Sequence, residues 1–156
     1  MRRLVPPRRL PILALALLAL AAVAACGARG PEPIALNEDQ CDYCRMTISD
    51  SRFGGEAVLT TGRVKKFDSA ECLLGWARAT PVASRGVLYV IDLQHPGTFV
   101  KAESAGFLKD AFLKSPMGGA VVSFADTTIA EQQRAVLGGK VMSWAQMLAD
   151  TVQAAK

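Results

Sequence analysis

The feature that most constrains this chain is an apolar run, Leu10 to Ala25, that stops at a cysteine. Met1-Arg2-Arg3 and Arg8-Arg9 precede the end of a basic start, Pro11 interrupts the run, and Val23-Ala24-Ala25 close it directly before Cys26-Gly27. A basic start, a short apolar stretch and a small-residue end make a secretory leader. The run has 16 residues, short of the roughly 20 that span a bilayer. Small residues followed by cysteine form a lipobox, in which the cysteine is lipidated and becomes the new N-terminus. Ordinary cleavage after Ala25 is the alternative, and it would leave Cys26 as an exposed thiol in an exported protein. The expected organisation is a lipoprotein leader over 1–25, a lipidated flexible tether over 26–37 and a folded domain over 38–156. Gly27, Gly30, Pro31 and Pro33 break any periodicity in the tether. Glycine rather than an acid after Cys26 favours the outer membrane in a host that has one.

Processing changes the charge. The leader carries four arginines and no acid, so its removal leaves fourteen basic residues against fourteen acidic ones. The alkaline pI near 9.0 belongs to the precursor and gives no reason to expect nucleic acid as a partner.

The rest of the chain alternates short strand and helix signals. Glu56 to Thr61 and Val64 to Phe67 flank Gly62 as a hairpin. Asp68-Ser69 caps a helix from Ala70, with Leu73, Trp76 and Ala77 on one face and Pro81 closing the segment. Gly86 to Asp92 is the most apolar strand and belongs in the middle of a sheet. Thr98 to Ala102 and Ala120 to Phe124 follow as strands. Asp126-Thr127-Thr128 then caps a helix from Ile129 to Leu137, Gly138-Gly139 ends it, and Lys140 to Ser143 begins a last strand. The pieces KKFDSAECLLGWARA and VSFADTTIAEQQRAV align in kind, which predicts an α+β fold of two small β-β-α-β modules packed together. A terminal helix, Trp144 to Ala154, is expected to lie across both.

Chemistry concentrates in sulfur. Beyond Cys26 the chain has Cys41, Cys44 and Cys72, four methionines after the initiator, and a single histidine, His95. Zinc sites draw on several His or carboxylate ligands, or on four Cys/His ligands at finger-like spacing; one Cys₃His set from distant positions is all this chain offers. Cys41-x-x-Cys44-x-Met46 instead places two thiols and a thioether in one short loop, a soft donor set that suits Cu(I). Met117 sits in Ser115-Pro116-Met117-Gly118-Gly119, an exposed bent loop. Each element has a plainer reading. Cys41–Cys44 as a structural disulfide suits an exported chain. A thioredoxin-type redox pair would open a helix after a strand, which this pair does not. Cys72 reads as a small buried hydrophobe on a helix face, His95 beside Pro96-Gly97 as a surface residue, Asp42 as solvated, and Met142 and Met147 as core. No phosphate loop, nucleophile–base arrangement or basic-aromatic patch appears, so no enzyme activity is indicated.

Together these residues resemble the NosL family, lipoproteins that act as copper chaperones for nitrous oxide reductase. The resemblance rests on the lipobox, Cys41-x-x-Cys44-x-Met46, Lys66-Phe67-Asp68-Ser69, the helix bearing Cys72, and Pro116-Met117-Gly118-Gly119. It implies two β-β-α-β modules like those of organomercurial lyase. It also implies Cu(I) bound at Cys44, Met46 and Met117 with Cys41 alongside, on a chain anchored by lipid to face the periplasm or cell exterior. Delivery of that copper to a periplasmic acceptor, such as nitrous oxide reductase or its assembly machinery, is implied with it. The family often has glycine before the first methionine; this chain has Arg45, a cation that would favour thiolate and an acidic partner. Two other readings stay open, a periplasmic thiol–disulfide protein and a structural lipoprotein with a Cys41–Cys44 disulfide.

Overall fold

The structure, a computed structural model, describes residues 30–150. The leader and the lipidation site at Cys26 lie outside the described residues, as do residues 151–154 of the expected terminal helix, which within the described residues ends at Ala149 with Asp150 as its cap.

Two antiparallel sheets form the frame. The first holds β1 (Gly55–Val58), β2 (Val64–Phe67), β3 (Val87–Ile91) and β4 (Phe99–Lys101) in the order β2-β1-β3-β4. The second holds β5 (Gly106–Lys109), β6 (Val122–Phe124) and β7 (Lys140–Ser143) in the order β6-β5-β7. Helix α1 (Ala70–Ala79) and the single turn α2 (Val82–Arg85) link β2 to β3, and α3 (Thr127–Leu137) links β6 to β7. A last helix, α4 (Trp144–Ala149), follows.

Each half therefore contains the expected β-β-α-β unit, with its first strand between the other two, and β4 is added at the edge of the first sheet. The two halves share a local device. Gly55 faces Phe67 across β1 and β2, and Gly106 faces Phe124 across β5 and β6. Immediately beyond each phenylalanine a helix is capped: Ser69 accepts from the Cys72 N–H, and Asp126 from the Ile129 N–H. A Cβ at Gly106 would lie 2.3 Å from the Asp126 carbonyl oxygen, so glycine lets the helix start close onto the central strand.

One strand assignment is corrected. The segment read as the first strand of the second module, 98–102, instead pairs with β3 (Tyr89 with Lys101, Ile91 with Phe99) as the edge of the first sheet. The cause is the tight Asp92–Thr98 turn, closed by Asp92 N–H to Thr98 C=O at 2.9 Å and His95 N–H to Asp92 C=O at 3.0 Å. The central strand of the second sheet is β5, GFLK, whose glycine and terminal lysine hide it from any alternation pattern.

The modules share a core. Phe67, Leu73, Val90, Phe107, Trp144 and Met147 belong to one buried cluster, with the Phe107 and Trp144 rings 5.7 Å apart. Ser123 Oγ donates to the Ile91 carbonyl at 2.7 Å, stitching β6 to the end of β3. Met142 and Met147 are core, as expected. α4 packs on α1, where Arg78 donates to the Met147 carbonyl at 2.6 Å and to that of Asp150.

The segment read as tether is docked from Glu32 onward. Glu32 N–H donates to the buried Glu56 Oε2 at 2.7 Å, and Lys66 Nζ donates to the Pro33 carbonyl at 2.8 Å. Ile34 packs against the first core. Lys66 also pairs with Asp39 at 2.6 Å, so β2 and β1 hold the strand of chain that leads into the cysteine loop.

Candidate metal centre

The cysteine loop is a miniature hairpin laid on β2. Gln40 and Thr47 form a bridge, Ile48 N–H donates to Asp39 C=O at 2.9 Å, and fully buried Ile48 anchors the returning arm. Asp42 fixes the loop to the sheet: its N–H donates to Lys66 C=O at 2.8 Å, its Oδ2 accepts from Lys66 N–H at 3.0 Å, and its Oδ1 pairs with Lys65 at 2.7 Å. It is thus an ion-paired anchor rather than a solvated side chain.

Inside the loop, Cys41 N–H donates to Met46 C=O at 2.8 Å and Arg45 N–H to Cys41 C=O at 3.0 Å. The turn that makes this possible puts Arg45 at φ 67°, in the left-handed region. That is the backbone geometry glycine favours, which gives a physical reason for a glycine at this place in the family pattern.

The hairpin delivers Cys41 and Cys44 to the start of α1, where Cys72 occupies the first turn. The Sγ atoms of Cys41, Cys44 and Cys72 all lie within 4.8 Å of one another, and all are free thiols. Cys41 and Cys72 are fully buried, and Cys44 is half-buried. A metal ion bonded to three sulfurs at about 2.3 Å in one plane separates them by about 4 Å. The group therefore needs little adjustment to enclose a soft ion.

Charge in the group sits on Cys41. The Cys72 thiol donates to it, and the backbone N–H groups of Asp68, Cys44 and Tyr43 add their share, so its pKa falls to about 5 despite burial. Cys72 is the counterpart: holding the shared proton, buried and facing that charge, it is pushed far up. Burial raises Cys44 as well. Asp68, buried with Oδ1 unpartnered among the described residues, is raised to about 6 by burial and then by the Cys41 charge.

The two loop methionines are exposed rather than buried with the thiols. Met46 is 54% exposed and Met117 41% exposed. Met117 tips a tight loop in which Gly118 N–H donates to Ser115 C=O at 2.8 Å and Ser115 N–H to Gly119 C=O at 3.0 Å. That loop is tied to Glu71, the neighbour of Cys72, whose Oε1 accepts from Ser115 Oγ at 2.7 Å. One turn further, Tyr43 of the cysteine loop lies over Gly75, where a Cβ would come within 2.6 Å of its ring. Positions 71 and 75 are neighbours on one helix face, so the two sulfur-bearing loops dock side by side on α1.

Of the residues singled out in the sequence, Cys41 and Cys44 converge, while Met46 and Met117 sit exposed on the cysteine loop and on the Ser115–Gly119 loop. Cys72, read there as a core hydrophobe, is the third member of the thiol group. The signal was its distance from the cap: three residues after Ser69 it lies in the first helical turn, where side chains tilt toward the N-terminus and the incoming loop. Glu71 was missed because a first-turn acid ordinarily reads as a complement to the helix dipole. His95 is exposed and pairs with Asp92 at 2.8 Å, away from the thiol group.

Comparison with known proteins bears on this arrangement. A family profile described as NosL matches residues 33–152. The copper-binding lipoprotein NosL of Stutzerimonas stutzeri is 32% identical over 126 residues, a match that covers 74% of this chain and 66% of that protein. The chain thus spans just under two thirds of that relative's length. The crystal structure of the copper chaperone NosL from Shewanella denitrificans shares the fold, with a TM-score of 0.66 at 23% identity over 77% of this chain and 96% of that one. With the profile covering most of the folded residues, the chain belongs to the NosL family.

Proposed function

We propose that the protein is a lipid-anchored Cu(I) metallochaperone without catalytic activity of its own. The observation that carries this reading is the convergence of three thiol sulfurs within 4.8 Å of one another at the start of α1. Thiolate and thioether donors select Cu(I) over oxygen-preferring ions. In this reading Cys41 and Cys44 hold the ion with Cys72 as a third thiolate, and Met46 and Met117 meet it on the solvent side. A buried thiolate floor gives retention, and exposed thioethers give an exit on which an acceptor can replace ligands one at a time. Lipidation at Cys26 keeps the domain on the membrane, facing the periplasm or the cell exterior. The acceptor is an exported cuproenzyme, nitrous oxide reductase or its assembly machinery; the names of the relatives supply the copper part of this reading.

Anaerobic titration of the reduced full chain in detergent with Cu(I) tests it. One equivalent bound tightly, weakened in Cys72→Ala and in the Met46→Ala, Met117→Ala pair, is the expected result. A reduced protein that takes up no Cu(I) would sink the reading.

A thiol–disulfide exchange role has one observation in its favour, the depressed Cys41. Attack on a partner disulfide needs an accessible thiolate, and here Cys41 is fully buried while the more accessible Cys44 has its pKa raised. Slow reaction of the reduced protein with a model disulfide separates the two roles.

A further inference from the structure

We propose that Glu71 is a positioning residue of the copper site, the latch that fixes the Met117 loop against the thiol-bearing end of α1. The proposal rests on the copper reading above. Glu71 lies in the first turn of α1 with Cys72 as its neighbour. An acid there can simply face water and complement the helix dipole. Glu71 instead reaches a loop more than forty residues away: Oε1 accepts from Ser115 Oγ at 2.7 Å and from Val121 N–H at 3.3 Å. It grips both ends of the segment that carries Met117.

The loop is shaped to receive it. A Cβ at Gly119 would lie 2.3 Å from Glu71 Oε1, so a larger residue there would push the carboxylate from its present place. Ser115 is buried by the contact. Glu71 Oε2 is also buried and has no hydrogen-bond partner among the described residues. A half-satisfied buried carboxylate costs stability, and such costs are tolerated where position matters. The internal bonds of the Ser115–Gly119 turn leave its tip little freedom once both ends are held. Glu71 thereby sets where the Met117 sulfur stands relative to Cys72, and Tyr43 over Gly75 sets the cysteine loop on the same helix face. Glu71 touches neither copper nor acceptor; it acts through Met117.

The test is a double-mutant cycle on the reduced full chain in detergent, reading Cu(I) affinity by competition with a chelator. Glu71→Ala should weaken Cu(I) as much as Met117→Ala does, within the roughly ten- to hundredfold range typical when a ligand's orienting partner is removed. In the Met117→Ala background it should add nothing. Glu71→Gln keeps an oxygen acceptor and should recover most of the affinity. With selenomethionine in a Met46→Leu chain, copper–selenium scattering should vanish in Glu71→Ala although copper–sulfur scattering persists, and should return in Glu71→Gln. Gly119→Ala, which displaces the carboxylate without removing it, should repeat the loss if Glu71→Ala fails to fold. Full additivity with Met117→Ala, or wild-type affinity in Glu71→Ala, overturns this proposal alone. A wild-type chain that binds no Cu(I) overturns the copper reading and this proposal with it.

Discussion

The Cys44 amide nitrogen lies 3.5 Å from the Cys41 sulfur, so the turn that brings the second thiol also stabilises the first as a thiolate. With the Cys72 thiol as the largest contributor, Cys41 should ionise at about 5 in the metal-free protein. Ultraviolet thiolate absorbance should rise by one equivalent through that pH and not again until well into the alkaline range. Cys72→Ala should move the step upward. The lowered value also adds stability, fully present above the ordinary thiol pKa and lost as pH falls toward about 5. A single step near the ordinary thiol value would contradict the arrangement.

Copper binding should become tighter with rising pH. Cys72 and Cys44 hold their protons in the metal-free protein because their pKa values are raised, and a metal must displace those protons to gain the thiolates. The logarithm of the apparent affinity should climb by about one to two per pH unit near neutrality. Flat affinity across that range would mean that only Cys41 serves as a thiolate ligand.

Arg45→Gly should stabilise the metal-free protein by about 0.5–1 kcal/mol, because Arg45 sits at φ 67° where a side chain is strained and glycine is not. Denaturant unfolding measures this directly. Loss of stability would point to an Arg45 contact that outweighs the backbone term.

Glu56 makes a separate, metal-independent prediction. It is fully buried, Oε1 lacks a partner among the described residues, and burial raises its pKa to about 7. The folded state then holds a proton that the unfolded state has released, so stability should fall as pH rises from about 4.5 through about 7. Glu56→Gln should remove that slope and stabilise the protein above it by about 1–2 kcal/mol, with little effect near pH 4. Unfolding curves for both proteins at acid and mildly alkaline pH decide the matter.

The frame was legible where local rules act alone. Asp68-Ser69 and Asp126 announce the starts of α1 and α3, and Gly138-Gly139 the end of α3, because caps and left-handed turns depend on a few adjacent residues. β5 was not, because GFLK is a strand by virtue of two neighbours that arrive from distant sequence. The site divides the same way. Cys41, Cys44, Met46 and Met117 stand out by spacing and by loop chemistry. Cys72 and Glu71 acquire their roles only when the hairpin and the Ser115–Gly119 turn land on α1, a tertiary event whose one local trace is the place of Cys72 in the first helical turn.

Alkylation of the cysteines with and without Cu(I) tests the three-thiol site most directly. In the reduced chain loaded with one equivalent of Cu(I), mass analysis should find Cys41, Cys44 and Cys72 protected together, and all three released when a stronger chelator removes the copper. Protection of Cys41 and Cys44 with Cys72 no less reactive than in the metal-free protein would contradict a three-thiolate site, and protection of none would contradict copper binding by this group.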